Sequence, residues 1–194
     1  MSWFHTHTTA ADASNHGSPA EIVSCFQEHR NLLGKLVVLI TGDRTTADQA
    51  IVKACEITLQ GNSPFRNWLL EWAKAVTITS AISQHAEAIC CCEATYKDRL
   101  CGHAEHSWQE DPEERAAILD LIVQADAQDL IVALDPLCRA ILVLKVAIRS
   151  SIQDCVFRLN VSPAAVLAAS CHAMTWLDHC RVKLLDEHKV SHAL

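Results

Sequence analysis

The sequence predicts an all-α protein of two small helical domains joined by a linker. Half of its 194 residues are apolar, only five Gly and five Pro interrupt the chain, and apolar residues recur at helical spacing along most of it. This length suffices for one large domain or two small ones. We expect a disordered tail at 1–18, a first domain at 19–97, a linker at 98–111, a second domain at 112–185 and a tail at 186–194.

Two turns divide the first predicted domain into three helices. In Thr41-Gly42-Asp43, the glycine suits the left-handed position that follows a helix end. In residues 61–64 (GNSP), Pro64 suits the first turn of the next helix. The predicted helices therefore run over 19–40, from a cap at Thr45 or Thr46 to about Leu59, and from Pro64 towards Tyr96.

Acidic and capping residues set the helix starts in the second predicted domain. Residues 111–114 (DPEE) place acids at the positive end of a helix dipole, and Pro136 lies in the first turn of a helix over 134–148. A short helix over 150–159 ends at Asn160, a residue type that tolerates positive φ. Ser162 then caps the last helix, which runs to about Leu185. Two helices joined by so short a turn predict a helix-turn-helix.

Charge and composition exclude several classes of protein. The net charge of −7, from 16 basic and 23 acidic residues, has the wrong sign for holding DNA phosphates over the whole surface. No apolar run reaches membrane-spanning length, and the first residues lack the pattern of a signal peptide, so we predict a cytoplasmic protein with no membrane partner. Without a phosphate-binding loop, a nucleophile elbow or spaced carboxylate pairs, we expect no enzyme and no cofactor.

Ten cysteines are more typical of buried apolar residues than of disulfides in such a protein. Cys55, Cys138 and Cys155 lie within apolar helical patterns, which favours burial. Cys90-Cys91-Cys92 and Cys101-x-His103-x-x-His106 contain zinc-ligand residue types. Their spacing is irregular, so we predict no metal site, although a zinc- or redox-responsive sensor stays a third alternative for the function.

Two pairs of sequence stretches resemble a known family. The first pair is residues 39–44 (LITGDR) and 64–70 (PFRNWLL), and the second is 134–139 (LDPLCR) and 159–166 (LNVSPAAV). In this order they resemble the promoter-melting and helix-turn-helix domains of small bacterial sigma factors of the extracytoplasmic-function type. The resemblance covers roughly residues 20–95 and 112–180 and places Phe65 and Trp68 in the core of the first domain.

The resemblance implies RNA polymerase core and promoter DNA as partners, with an anti-sigma factor or another protein as a further one. Family positions that contact the polymerase correspond to Asp43, Asp48, Gln49 and Lys53. Family positions that bind DNA correspond to Arg66, Lys74, Arg158, Ser162, Ala164, Ala165, Leu167, Ala169 and His172.

The chain departs from the family pattern in its charges. Residues 75–96 contain no Lys or Arg, and neither do residues 159–180, where the family has DNA-gripping basic residues. Two functions therefore stay open. One is a sigma-factor-like regulator of transcription initiation that acts through RNA polymerase and promoter DNA. The alternative is a degenerate sigma-like protein-interaction module with little or no DNA binding.

Overall fold

The computed structural model describes residues 15–96 and 112–191, without the side chains of 125–127 and 180–191. All its named elements are helices, which confirms the all-α fold class. They are α1 (Pro19–Glu28), α2 (Arg30–Thr41), α3 (Ala47–Gln60), a 3₁₀ turn (Arg66–Trp68), α4 (Leu69–Gln84), α5 (Ala86–Cys91), α6 (Glu93–Tyr96), α7 (Pro112–Ile122), α8 (Ala125–Val132), α9 (Pro136–Ile148), α10 (Ile152–Leu159) and α11 (Pro163–Ser191). The division into two domains and the helix-turn-helix stay predictions.

Two of the helices predicted in the first half are interrupted. The helix over 19–40 is divided at His29, whose φ of −100° and ψ of 11° redirect the chain between α1 and α2. The long helix predicted after Pro64 is divided at His85, with φ of −114°, and again at Cys92. These changes of direction bring Ile89 and Tyr96 into the core, where both are almost fully buried.

Caps define the helices of the second half, and those at Asn160 and Ser162 are as the sequence predicts. The Asp135 side chain accepts from the backbone N–H of Cys138 at the start of α9. Asn160 ends α10 in the left-handed conformation, with φ of 53°. Ser162 caps α11, which continues to Ser191 and so includes residues 186–191 of the predicted tail.

Helix α9 lies at the centre of the molecule. Every residue from 137 to 147 is buried, and the helix packs against α2, α4, α5, α7 and α11. The largest hydrophobic cluster consequently includes residues from both halves of the chain. A smaller cluster around Phe26 and Leu33 packs α1 against α2, α3 and α4.

Arg139 and Gly42 meet at the junction between α9 and the end of α2. The guanidinium is buried, and its Nη1 donates to the Val132 carbonyl oxygen at 3.1 Å. A Cβ at position 42 would lie 2.6 Å from that same Nη1. Gly42 also has a φ of 72°, as predicted. The two stretches 39–44 and 134–139 are therefore in direct contact.

The aromatic residues after Pro64 are not core residues, and that prediction is wrong. Trp68 is 65% exposed and Phe65 is 49% exposed. Trp68 lies in the 3₁₀ turn and Phe65 precedes it in extended backbone, so neither side chain has the register that a continuous helix would give it. Phe65 instead stacks on the His16 ring, with ring centroids 4.5 Å apart.

The segment before α1 is held against this turn. Gly17 N–H donates to the Pro64 carbonyl at 2.9 Å, and Arg66 N–H donates to the Asn15 carbonyl at 2.8 Å. Ser18 then forms a reciprocal capping box with Glu21. The predicted tail is thus ordered from residue 15, whereas residues 1–14 and the predicted linker 98–111 lie outside the described residues.

We predict that Gly42→Ala destabilises the protein by about 1–2 kcal/mol or more, because a left-handed non-glycine residue is strained and the new Cβ meets the buried Arg139. Gly34→Ala is the matched control. Its Cβ would meet only Ile51, at 3.8 Å, inside α2. Gly34→Ala should stabilise the protein by about 0.5–1 kcal/mol. Urea unfolding measures both changes, and equal effects at the two positions would contradict the prediction.

We predict that Trp68→Ala changes the unfolding free energy by less than about 1 kcal/mol, since most of the indole is in contact with solvent. Phe26→Ala, in the α1 cluster, should cost about 3–5 kcal/mol because that ring is buried. Chemical denaturation of the two variants measures both unfolding free energies. A loss of stability in Trp68→Ala as large as that in Phe26→Ala would contradict the exposure of Trp68.

Candidate functional site

The two acids predicted to contact polymerase are engaged within the chain. The Asp43 carboxylate accepts from the Thr45 hydroxyl at 2.6 Å and from its backbone N–H at 2.8 Å. These hydrogen bonds hold the pKa of Asp43 below its ordinary value. Asp48 forms an exposed ion pair with Arg30, with Nη2 and Oδ1 2.8 Å apart. Both acids therefore have a local structural role at the start of α3.

Gln49 and Lys53 line an open groove between α3 and α4. Its volume is about 740 Å³, and most of its lining is apolar. Ile57 and Trp72, both 44% exposed, are its largest apolar side chains. The groove ends at Arg158, whose Nη1 donates to the Thr79 hydroxyl at 2.9 Å. We call this surface the α3–α4 groove; its other lining residues are Ala75, Val76, Ser80, Ser83 and Gln84.

The two basic residues predicted to grip DNA in the first half are paired with acids. Arg66 Nε lies 2.9 Å from Glu21 Oε1 in an exposed ion pair. Lys74 Nζ lies 2.8 Å from Glu71 Oε1, and its side chain is only 10% exposed. The prediction for Lys74 is therefore wrong in this conformation, because a buried, paired ammonium cannot contact a phosphate. Arg66 stays accessible on the surface.

The last helix presents no cation on its described outer face. Ala165 and Ala169 are buried in the core, so a direct DNA contact by these two residues is excluded in this conformation. The exposed positions are Pro163, Ala164, Leu167, Thr175, Asp178 and His179, together with His172, which keeps contact with solvent. None of these side chains supplies the Lys or Arg that phosphate binding normally requires.

The N-terminus of α11 is occupied by a carboxylate of the same chain. Ser162 N–H donates to Glu93 Oε1 at 2.8 Å, while the Ser162 hydroxyl accepts from Ala165 N–H at 3.4 Å. A helix N-terminus is where backbone N–H groups and the dipole attract a phosphate. Glu93 takes that place and adds negative charge. No sequence pattern indicated this contact, which joins residues 69 positions apart.

A cluster of four polar side chains lies between α6, α9 and α11. The Tyr96 hydroxyl donates to Asp135 Oδ2 and lies 2.7 Å from His172 Nδ1. Cys138 Sγ lies 3.1 Å from the same hydroxyl and 3.6 Å from His172 Nδ1. Tyr96 and Cys138 are buried, whereas Asp135 and His172 keep contact with solvent. We call these four residues the buried polar cluster.

Hydrogen bonding and burial set the protonation states in this cluster. Burial raises the pKa of Tyr96, and the hydrogen bond to Asp135 raises it further, so the phenol stays neutral. Burial also raises the pKa of the Cys138 thiol. For Asp135, burial is outweighed by hydrogen bonds from Tyr96 and the Cys138 backbone, which leave its pKa below the ordinary value. The cluster thus contains an ionised carboxylate beside a neutral phenol and a neutral thiol.

The predicted burial of cysteines is confirmed at two positions and is partial at a third. Cys138 and Cys155 are fully buried, while Cys55 is half-buried. Cys171 differs from the general preference for buried thiols, because it is disulfide-bonded. Cys90 and Cys91 are exposed free thiols. The predicted zinc-ligand types Cys101, His103 and His106 lie outside the described residues.

No family model, curated protein or solved structure gives a significant match to the chain. Within the described parts of the chain, no helix is both long enough and apolar enough to cross a membrane. The candidate sites therefore rest on geometry and on the sequence resemblance.

We predict that iodoacetamide alkylates Cys90 and Cys91 in the native protein much faster than Cys138 and Cys155. Only the thiolate reacts, and burial both shields Cys155 and raises its pKa to about 11. At pH 7.5, its thiolate fraction is therefore on the order of 10⁻³ or less. Time-resolved mass spectrometry of tryptic peptides measures the four rates. Similar rates at all four sites would contradict the described burial.

Proposed function

We propose that this protein is a sigma-like regulator of transcription initiation that works as a protein-interaction module, with little or no sequence-specific DNA binding. The choice of protein contact over DNA binding rests on the Glu93 carboxylate at the N-terminus of α11. It occupies the place where a recognition helix would hold a phosphate and repels the anion electrostatically. The cation-free face of α11 supports the same choice.

The proposed partner is RNA polymerase core, bound at the α3–α4 groove. The resemblance assigns the start of α3 to polymerase contact, and Gln49 and Lys53 line this groove. Exposed Ile57 and Trp72 offer apolar area, and Trp is a frequent anchor in protein interfaces. Arg158 adds positive charge, as does Lys53, whose Nζ lies 3.9 Å from Glu56 Oε2 in an exposed ion pair. This charge suits a partner helix with an apolar stripe and acidic flanks.

Promoter binding is the second candidate function. The observation in its favour is Arg158, an exposed cation on α10 that precedes Ser162 by four residues. A single cation supports weak, salt-sensitive binding, whereas direct readout of sequence normally needs Arg, Lys, Asn or Gln at base edges.

We predict that the full chain retains purified RNA polymerase core from its source organism in a pull-down. Ile57→Asp combined with Trp72→Ala should weaken this binding more than about tenfold, because both side chains are apolar anchors of the groove. Leu167→Ser is the control, since Leu167 is 41% exposed, similar to both groove residues, but lies outside the groove. Absence of core binding, or equal loss in the control, would argue against the proposal.

We predict that the full chain binds duplex DNA weakly and without sequence preference. Glu93→Gln should strengthen binding, because it removes the carboxylate charge from the α11 N-terminus. Ala164→Arg with Leu167→Arg should also steepen the salt dependence, by about one unit per added phosphate contact. Both positions are exposed, unlike Ala169.

Fluorescence anisotropy across a salt series measures these DNA affinities. Cys155→Ser, a change in the core with no charge, serves as the control and should leave DNA binding unchanged. Tight, sequence-selective binding by the unmodified chain would overturn the proposal and favour promoter recognition.

A further inference from the structure

Three side chains of different metal-ligand types converge in the buried polar cluster. The ligand atoms of Asp135, Cys138 and His172 all lie within 4.8 Å of one another. They come from two helices that are far apart in the sequence. We propose that Asp135, Cys138 and His172 form a site for a divalent transition-metal ion of the zinc class, with Tyr96 beside it. This proposal is independent of the proposed function.

The separation of the sulfur and nitrogen ligand atoms fits tetrahedral coordination. With Zn–S of about 2.3 Å and Zn–N of about 2.0–2.1 Å, a tetrahedral angle separates the sulfur and nitrogen ligands by about 3.6 Å. The separation of Cys138 Sγ and His172 Nδ1 is 3.6 Å. The Tyr96 hydroxyl lies within hydrogen-bond distance of all three ligand residues, close to their common centre. A metal ion entering there displaces this hydroxyl, which then becomes a fourth ligand or gives way to water.

The fold holds the ligands in place before any metal arrives. Asp135 is fixed as the N-cap of α9 through Oδ1, which accepts from Cys138 N–H at 3.0 Å, so Oδ2, which accepts from the Tyr96 hydroxyl, is the ligand atom that faces the cluster. Cys138 lies one turn later on the same helix end. His172 reaches the pair from α11, and its ring centroid lies 5.9 Å from that of Tyr96. The three ligand residues therefore need only small side-chain shifts.

The donor set selects the class of ion. A thiolate and an imidazole favour zinc and similar borderline-soft ions over Ca²⁺ and Mg²⁺, which prefer oxygen ligands. On binding, the Cys138 thiol releases its proton to solvent, and His172 presents the Nδ1 lone pair to the metal. No electron transfer is involved. The bound ion would join the N-terminal end of α9 to the middle of α11.

The experiment uses the untagged full chain with its free thiols reduced. Zn²⁺ binding is measured by competition with a chromophoric chelator, and Co²⁺ binding is measured by the absorption spectrum of the protein-bound ion. One equivalent of Co²⁺ should give the thiolate charge-transfer band and the intense visible bands of tetrahedral cobalt. Zn²⁺ should bind with the same stoichiometry, abolish those bands by displacement and raise the Tm, since it binds only the folded state.

The key variant is Asp135→Asn, because asparagine is as good an N-cap as aspartate and keeps the fold while removing the carboxylate ligand. It should weaken Zn²⁺ binding more than about tenfold. Cys138→Ser should abolish the charge-transfer band, and His172→Gln should weaken Zn²⁺ binding. Far-ultraviolet circular dichroism verifies that each variant is folded. The controls Cys155→Ser and Cys90→Ser/Cys91→Ser should bind like the unmodified chain.

Three results would contradict the proposed metal site. The first is less than half an equivalent of bound Zn²⁺ or Co²⁺ in the unmodified chain. The second is undiminished affinity in folded Asp135→Asn together with an unchanged charge-transfer band in Cys138→Ser. The third is loss of binding in Cys101→Ser/His103→Ala but not in the cluster variants, which would place the metal at the zinc-ligand residue types of the predicted linker, where the sequence predicts no metal site.

Discussion

The complete burial of helix α9 is the constraint on which the rest of the structure depends. A helix that is apolar on all its faces is stable only when other elements surround it. Here α2, α4, α5, α7 and α11 do so, which joins the two halves of the chain in one cluster. The burial includes Arg139 and Lys145, whose charges are costly to desolvate. Arg139 lies against the C-terminal end of α2, where the helix dipole favours a cation.

The sequence predicts the parts of this fold that local chemistry determines. Gly42, Pro136, Asn160 and Ser162 end or begin helices because of their own backbone and side-chain preferences, and the structure places each of them as expected. The interruptions at His29 and His85 were not predictable in this way, since no Gly or Pro marks them. The exposure of Trp68 was missed for a related reason, because one 3₁₀ turn changes the face that each following side chain occupies.

The candidate sites were less predictable than the fold because they depend on tertiary contacts. Sequence patterns indicated that Cys138 is buried, yet its partners Tyr96 and His172 lie 42 and 34 residues away. The resemblance assigned His172 to DNA binding, whereas the structure turns its Nδ1 towards Tyr96. Asp135 and Cys138 lie close together in the stretch 134–139, but an aspartate at a helix N-cap is common without any ligand. The α3–α4 groove likewise arises from the packing of two helices.

The short helix α6 connects these observations. Glu93 and Tyr96, at its two ends, hold α11 at two points: the backbone of Ser162 at its N-terminus and the side chain of His172 ten residues further along. A recognition helix places its N-terminal residues against base edges in the major groove, so that end must be accessible to DNA. In this chain, α6 covers that end with a carboxylate and anchors the middle of the helix through the buried polar cluster. Glu93, which helps to fix α11 in the fold, thus places a carboxylate where a helix N-terminus would otherwise attract a phosphate.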